Sequence, residues 1–116
     1  MATILLTDDE PDLLSVTKIL LTHEGFEVYT ASRADAALEL ARREHPDLLI
    51  TDWMMPHMDG LELCQRIRQG PATADIPIIL CTALSEPAEH TWYDSYLRKP
   101  VAFEDLLSAI RTLLPG

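Results

Sequence analysis

The segment Leu49-Ile50-Thr51-Asp52-Trp53-Met54-Met55-Pro56 joins an apolar run to a carboxylate and then to a turn that contains proline. A short apolar run without alternating polar residues is typical of a strand buried on both faces, as in a parallel sheet. The packing of such a strand does not require an aspartate. Asp52 therefore either caps the end of the strand or takes part in chemistry there.

The composition of the 116-residue chain is that of an ordinary globular protein, with 47% hydrophobic and 24% charged residues. We therefore expect a single domain over residues 1–116. No apolar run approaches the roughly 20 residues that a membrane span needs. The N-terminal residues also lack the basic region of a signal peptide. These features predict a cytoplasmic protein without a membrane partner.

The charge and the cysteine content exclude further classes. The formal net charge is −10, whereas proteins that bind nucleic acid contact phosphates with clustered Lys and Arg. We therefore expect no direct contact between this domain and nucleic acid. Cys64 and Cys81 belong to no ligand-spaced pair. We interpret both as reduced core residues rather than as a disulfide or a redox pair.

Short apolar runs alternate along the chain with longer segments of helical period. Strands are predicted at about Thr3–Leu6, Phe26–Thr30, Leu48–Thr51, Ile76–Cys81 and Tyr96–Leu97. Helices are predicted at about Pro11–His23, from Ser32 to near His45, at Leu61–Gln69 and from Phe103 to Leu114. This alternation predicts an α/β fold in which helices cover both faces of a five-stranded parallel sheet. We take the strand order 2-1-3-4-5 from the flavodoxin-like, doubly wound class of three-layer folds.

The spacing of apolar residues indicates which side each helix buries. The first helix is predicted to end near Gly25 and to bury Leu13, Val16, Thr17 and Leu20. The second is predicted to begin at an N-cap Ser32 and to bury Ala34, Ala37, Leu38 and Ala41. The third follows an N-cap Asp59 and carries Leu63, Cys64 and Ile67. The last carries Phe103, Leu106, Leu107, Ile110 and Leu114.

The connection between the fourth and fifth strands is unusually short. Residues 83–94 provide 12 positions, close to the minimum for a parallel crossover. Pro87 lies inside this segment, which leaves room for a turn or two of helix at most. We therefore predict that the fourth helix is shortened or missing. Trp92 and Tyr93 are predicted to replace its apolar cover, with an aromatic contact to a partner protein as the alternative.

Polar residues follow four of the predicted strands. Asp8 and Asp9 follow the first strand, Asp52 the third, Thr82 the fourth and Lys99 the fifth. Because ligands of open parallel sheets bind beyond the carboxyl ends of the strands, we expect these side chains to converge. Carboxylates held close together repel one another, and a hard divalent cation such as Mg²⁺ relieves the repulsion. The set is suited to a phosphoryl group on, or approaching, a carboxylate.

Each of these residues also has a structural interpretation when taken alone. Asp8 and Asp9 suit the N-terminus of the first helix. Asp52 suits a strand end, Thr82 a buried hydrogen bond, and Lys99 the surface. The joint placement of all five at strand ends favours a functional site, because packing alone gives no reason to gather them.

The chain resembles, over essentially its whole length, the receiver domain of two-component response regulators, including the chemotaxis-regulator type. The matching segments are Ile4-Leu5-Leu6-Thr7-Asp8-Asp9-Glu10-Pro11, Asp52-Trp53-Met54-Met55-Pro56-His57-Met58-Asp59-Gly60, Thr82-Ala83 and Tyr96-Leu97-Arg98-Lys99-Pro100. Each is modest alone. Their order and separations make the set specific.

The resemblance implies a phosphoacceptor and a metal site. Asp52 would accept a phosphoryl group from a phosphohistidine of a partner protein. Asp9 would bind Mg²⁺ (or Mn²⁺) directly and Asp8 would support it, partly through water. Asp52 itself and the backbone carbonyl of Met54 would complete the protein ligands.

The resemblance also implies roles for residues around the phosphoryl group. Lys99 would pair with one phosphoryl oxygen and Thr82 would donate a hydrogen bond to another. Tyr96 matches the family's aromatic switch residue, which moves inward when the threonine shifts toward the phosphate. Pro100 matches a proline that follows a cis peptide bond, and Gly60 has a structural place beside the acceptor.

The implied function is phosphorelay signal transduction. A sensor histidine kinase or a histidine phosphotransfer protein would phosphorylate the domain, which would then change conformation and control a fused or separate output domain. We expect a switch that catalyses its own modification and not an enzyme with turnover. The alternative is a pseudo-receiver that binds a protein without phosphorylation. An enzyme of the haloacid dehalogenase type is disfavoured. Such enzymes place the nucleophile after the first strand and a second acid two residues further on, whereas here the first-strand acids Asp8 and Asp9 are adjacent and position 10 is Glu.

The shortened fourth helix departs from the family pattern. In receivers, the face formed by the fourth helix, the fifth strand and the fifth helix commonly carries dimer or output contacts. The departure therefore argues against the usual dimer and predicts an unconventional effector surface.

Overall fold

Strands and helices alternate along the chain in the computed structural model, which describes residues 1–88 and 92–114. The strands are β1 (Thr3–Thr7), β2 (Glu27–Ala31), β3 (Leu48–Asp52), β4 (Ile78–Thr82) and β5 (Ser95–Arg98). The helices are α1 (Pro11–His23), α2 (Ala34–Glu44), α3 (Gly60–Gln69) and α4 (Phe103–Leu113). Between β4 and β5 the described residues contain no helix, as the length of the crossover predicted.

All five strands are parallel and follow the order β2-β1-β3-β4-β5, which confirms the predicted fold class. The register places Thr7 beside Thr51, Asp52 beside Cys81, and Thr82 beside Arg98. The carboxyl ends of β1, β3, β4 and β5 therefore meet at one edge of the sheet. This edge is where the sequence predicted the functional residues.

Two apolar layers enclose the sheet. Every residue of β3 and β4 is buried, which confirms that these strands are covered on both faces. One layer packs α2 and α3 against the sheet, with Ala34, Ala37, Leu38, Ala41, Leu63, Cys64 and Ile67 among its members. The other packs α1 and α4, with Leu14, Leu21, Leu106 and Ile110 among its members. The buried faces predicted for α2 and α3 are thus confirmed.

The buried face predicted for α1 is wrong. Leu14 and Leu21 are buried, whereas Leu13, Val16 and Leu20 are 38%, 55% and 40% exposed. Successive residues lie about 100° apart around a helix, so the true face is rotated by one position from the predicted one. Apolar residues surround much of this helix, and its periodicity alone does not identify the side that meets the sheet.

Two of the three predicted helix boundaries are confirmed. Gly25 follows α1 with a left-handed φ of 99°, and Asp59 caps α3 by accepting a hydrogen bond from the Glu62 amide at 2.9 Å. Ser32 does not cap α2. The helix begins one residue later than that cap requires, and its N-cap residue is Arg33, which makes no side-chain cap bond.

Both cysteines are free and buried, as predicted. Burial raises the pKa of the Cys64 thiol and of the Cys81 thiol to about 12. Their neutral form is consistent with a packing role. In the part of the chain that the structure describes, no helix is long and apolar enough to cross a membrane.

Aromatic side chains and an ion pair hold the segment that precedes β5. Tyr93 is buried in the α2–α3 layer and Trp92 packs against the same layer, which confirms that they provide apolar cover. The Asp94 carboxylate accepts hydrogen bonds from Arg68 at 2.6 Å and from the Ile78 amide at 2.8 Å. Asp94 therefore links the start of β5 to β4 and α3.

We expect Asp94→Ala to lower the free energy of unfolding by about 1–2 kcal/mol, because two hydrogen bonds are lost and the partly buried Arg68 loses its ion pair. Chemical denaturation measures the change. Asp75→Ala is the control, since Asp75 is an exposed acid nearby and its loss should change stability by less than about 0.5 kcal/mol. Equal effects of the two substitutions would contradict the structural role of Asp94.

Candidate functional site

Three carboxylates meet at the ends of β1 and β3. Their oxygen atoms lie within 4.8 Å of one another, and they belong to Asp8, Asp9 and Asp52. Asp8 and Asp52 are only 5% and 8% exposed, whereas Asp9 is exposed to solvent. The grouping follows from the pairing of β1 with β3, which brings the residues after Thr7 beside the end of the neighbouring strand.

Lys99 bridges two of the three carboxylates. Its Nζ donates to Asp8 Oδ2 at 2.7 Å and to Asp52 Oδ2 at 3.2 Å. The lysine is held at the sheet edge because its backbone amide donates to the carbonyl of Thr82 at 2.8 Å. The peptide bond between Lys99 and Pro100 is cis, as the resemblance implied.

The site carries more negative than positive charge. Burial raises the pKa of Asp52, the charge of Asp8 raises it further, and Lys99 opposes both effects. Burial acts to lower the pKa of Lys99, but the bonds and charges of Asp8 and Asp52 outweigh it and raise that pKa. One ammonium group faces three carboxylates, so the site can accept an additional cation.

The raised pKa of Asp52 predicts how stability depends on pH without divalent cations. The native state holds a proton on Asp52 more tightly than the unfolded state does, so stability falls as the pH rises from the ordinary aspartate pKa through the raised one. We expect Asp52→Asn to remove this decline, whereas the surface substitution Asp75→Asn should leave it unchanged. The decline in stability is measured by denaturation curves recorded across this pH range in the presence of a chelator. An unchanged decline in Asp52→Asn would contradict the assignment.

Close packing positions the turn that follows Asp52. Gly60 begins α3 and its amide donates to the Trp53 carbonyl at 2.7 Å. A Cβ atom at position 60 would lie 1.8 Å from the backbone oxygen of Asp52. Met55 is buried, and its sulfur accepts a hydrogen bond from the Thr7 hydroxyl at 3.9 Å. The turn is therefore anchored to α3 and to β1, and it fixes the Asp52 carboxylate against the other two.

The predicted switch residues Thr82 and Tyr96 both form hydrogen bonds to Leu84. Leu84 was not identified from the sequence. Thr82 is buried at the end of β4, and its hydroxyl oxygen accepts a hydrogen bond from the Leu84 amide at 3.3 Å. The Tyr96 hydroxyl donates to the Leu84 carbonyl. Leu84 therefore connects Thr82 to Tyr96. The only signal in the sequence is its position two residues after the threonine.

The prediction that Asp8 and Asp9 cap the N-terminus of α1 is confirmed only in part. Asp8 Oδ1 accepts a hydrogen bond from the Glu10 amide at 3.0 Å, close to the start of α1. The N-cap residue is Glu10, which makes no side-chain cap bond. Asp8 thus orients the entry to α1 with one oxygen atom and binds Lys99 with the other.

The oxygen ligands and their charge fit a hard divalent cation. Mg²⁺ binds carboxylate and carbonyl oxygens and is held by few protein groups. Asp8, Asp9 and Asp52 provide such oxygens within a short distance of one another. Asp8 and Asp52, together with Lys99, line a cavity of about 480 Å³ that extends between α1 and the residues following Lys99. Lys99 points into this site and not into bulk solvent.

The sequence model described as "response regulator receiver domain" matches residues 4–111. The chain is 40% identical to the phosphate regulon transcriptional regulatory protein PhoB of Rhizobium meliloti (strain 1021), covering 96% of this chain and 51% of that protein. It is 36% identical to the DNA-binding dual master transcriptional regulator RpaA of Synechocystis sp., covering 98% of this chain and 49% of that protein. The chain thus spans about half the length of these relatives.

Solved structures agree with these matches. Response regulator protein TrrA of Thermotoga maritima, in complex with Mg²⁺-BeF, superposes with a TM-score of 0.89 at 35% identity, covering 98% of this chain and all of that one. Chemotaxis protein CheY4 of Vibrio cholerae gives a TM-score of 0.91 at 28% identity, covering 98% and 99%. The shared fold, the matched residues and the strand-end carboxylates agree, and the chain belongs to the response regulator receiver domain family.

Proposed function

We propose that the domain, over residues 1–116, accepts a phosphoryl group on Asp52 and acts as a phosphorelay switch. The observation that carries this proposal is the bridge from Lys99 Nζ to Asp52 and Asp8 at 3.2 and 2.7 Å, beside the third carboxylate. The donor would be a phosphohistidine of a sensor histidine kinase or a histidine phosphotransfer protein. An oxygen of Asp52 forms the new bond to phosphorus, the bond to the imidazole nitrogen breaks, and the imidazole leaves with that electron pair.

Asp8, Asp9, Asp52 and the Met54 carbonyl would hold Mg²⁺ (or Mn²⁺). When bound, the cation neutralises charge on the carboxylates and on the phosphoryl oxygens. Lys99 pairs with one phosphoryl oxygen from its position beside Asp52, and it orients Asp8 through the second contact. The Thr82 hydroxyl donates to another phosphoryl oxygen. Since the Leu84 amide binds Thr82 and the Leu84 carbonyl binds Tyr96, a shift of the threonine reaches the tyrosine through this one residue.

The output is proposed to lie outside this domain. The relatives named above are transcriptional regulators about twice as long as the region they share with this chain. The net charge of −10 supports an output domain, fused or separate, that makes any contact with nucleic acid. The reaction modifies the domain itself, so we propose a signalling switch in the cytoplasm and not an enzyme with turnover.

Intact mass after incubation with acetyl phosphate tests the proposal. With Mg²⁺ present, the wild type and the control Asp75→Asn should each gain one phosphoryl group. Asp52→Asn should gain none, and a chelator should prevent the reaction in every sample. If the wild type gains no mass while the domain is folded, the phosphorylation account is wrong and a phosphorylation-independent interaction module takes its place.

A further inference from the structure

Two tyrosine hydroxyls fasten the connection between β4 and β5, whose described residues form no helix. The Tyr93 hydroxyl donates to Glu86 Oε2 at 2.9 Å. The Tyr96 hydroxyl donates to the carbonyl of Leu84. Residues 83–86 are themselves exposed to solvent. These two bonds therefore hold an exposed segment that ends at the buried Pro87.

Tyr93 is the fixed side of its bond. Its ring is 8% exposed and belongs to the α2–α3 layer. The next residue, Asp94, is tied to β4 in both directions, because its amide donates to the Ile78 carbonyl at 2.9 Å and its carboxylate accepts from the Ile78 amide. Burial and the Glu86 carboxylate both raise the pKa of Tyr93, so its hydroxyl remains a proton donor. Glu86 is the exposed side of the bond, and residues 83–85 before it are exposed as well.

The fastened segment leads directly to the site. Leu84 lies two residues before Glu86 and two after Thr82, and its amide binds the Thr82 hydroxyl oxygen at 3.3 Å. If Thr82 moves toward a phosphoryl group on Asp52, Leu84 must move with it or lose this bond. Either change is resisted while Glu86 is held in place.

We propose that the hydrogen bond between Tyr93 and Glu86 is a latch that secures the residues after β4 and, acting through Leu84, holds Thr82 in its resting position. Tyr93 and Glu86 are thus positioning residues for the switch. The inference rests on the proposed function, since the latch opposes a movement that phosphorylation of Asp52 requires. Releasing the latch lowers the cost of that movement and makes phosphorylation faster.

Removal of either partner tests the latch. Tyr93→Phe keeps the buried ring and deletes the donor, and Glu86→Ala deletes the acceptor at an exposed position. Each is expected to speed phosphorylation by acetyl phosphate about 3- to 10-fold, the range that one hydrogen bond commonly represents. The double variant should be no faster than either single variant, because both act through one bond. Glu86→Gln keeps an oxygen acceptor and should behave like the wild type.

Tyr29 provides a matched control, because its hydroxyl makes the same kind of bond to Glu44 at 3.1 Å at the opposite edge of the sheet. Tyr29→Phe should leave the rate unchanged. Hydrogen exchange at the Leu84 amide, measured without a phosphoryl donor, should be faster in Tyr93→Phe and Glu86→Ala than in Tyr29→Phe. This measurement separates the two proposals, since it reports on the latch even if the wild type is never phosphorylated. Equal exchange at Leu84 in Tyr93→Phe and Tyr29→Phe would overturn the latch. If the wild type is phosphorylated, a phosphorylation rate of Tyr93→Phe equal to that of the wild type would also overturn it.

Discussion

Replacing Lys99 with methionine is expected to slow phosphorylation of Asp52 by on the order of 10²- to 10³-fold, the usual cost of removing one group that stabilises developing charge. Methionine keeps most of the aliphatic stem but removes the ammonium group that binds Asp8 and Asp52. Without divalent cations the same variant should also be less stable than the wild type by about 1–3 kcal/mol, because two mostly buried carboxylates lose their counter-ion.

A divalent cation separates these two effects. Mg²⁺ should restore much of the stability of Lys99→Met, since the cation supplies the missing positive charge, but it should not restore the phosphorylation rate. Lys18→Met is the matched control, because Lys18 is an exposed lysine on α1 and should alter neither quantity. Denaturation with and without Mg²⁺, together with the rate of mass gain, measures both. If Lys99→Met were phosphorylated as fast as Lys18→Met, Lys99 would have no role in the phosphorylation of Asp52.

Gly60→Ala is expected to reduce the free energy of unfolding by about 3 kcal/mol or more, since the added methyl group would overlap the backbone of Asp52 and Trp53. The methyl carbon would lie 1.8 Å from the carbonyl oxygen of Asp52 and 2.8 Å from its carbonyl carbon. Relief requires the turn after β3 to move, and the acceptor carboxylate moves with it. Phosphorylation of the folded fraction should fall on the order of 10²-fold, because small displacements of reacting groups are costly.

Gly70→Ala is the comparison for this substitution. The nearest atom to a Cβ at position 70 is the side-chain oxygen of Thr73, at 2.7 Å. The buried Thr73 hydroxyl can rotate away only by giving up its hydrogen bond to the Ile67 carbonyl, so the loss should be about 1–2 kcal/mol. Since position 70 is remote from the turn after β3, phosphorylation should be unaffected. Urea denaturation and mass-based rates give both quantities. If Gly60→Ala were as mild as Gly70→Ala, the close contact at Asp52 would not be what positions the turn.

The sheet and the location of its site could be predicted from sequence because both depend on local patterns. Apolar runs at Leu48–Thr51 and Ile76–Cys81 require cover on both faces, and that requirement identifies a parallel sheet. Once the strands are parallel, their carboxyl ends share an edge. Asp8 and Lys99 are separated by 91 positions in sequence and lie 2.7 Å apart for this reason.

The incorrect details depend on information that local patterns do not contain. On α1, Leu13 and Leu14 are equally apolar, and only packing against the sheet decides that Leu14 is buried. At α2, Ser32 is a good cap by residue type, but the backbone enters the helix one residue later. The bond between Tyr93 and Glu86 lies in an irregular segment, where no periodicity relates one side chain to another.

Phosphorylation at the end of β3 can be checked by locating the phosphoryl group on the chain. After reaction with acetyl phosphate and Mg²⁺, borohydride reduces an acyl phosphate to an alcohol, and peptide mass spectrometry identifies the residue that was modified. We expect the modified residue to be Asp52 alone. Modification at Asp8 or Asp9, or at no residue in a folded and Mg²⁺-saturated domain, would contradict it.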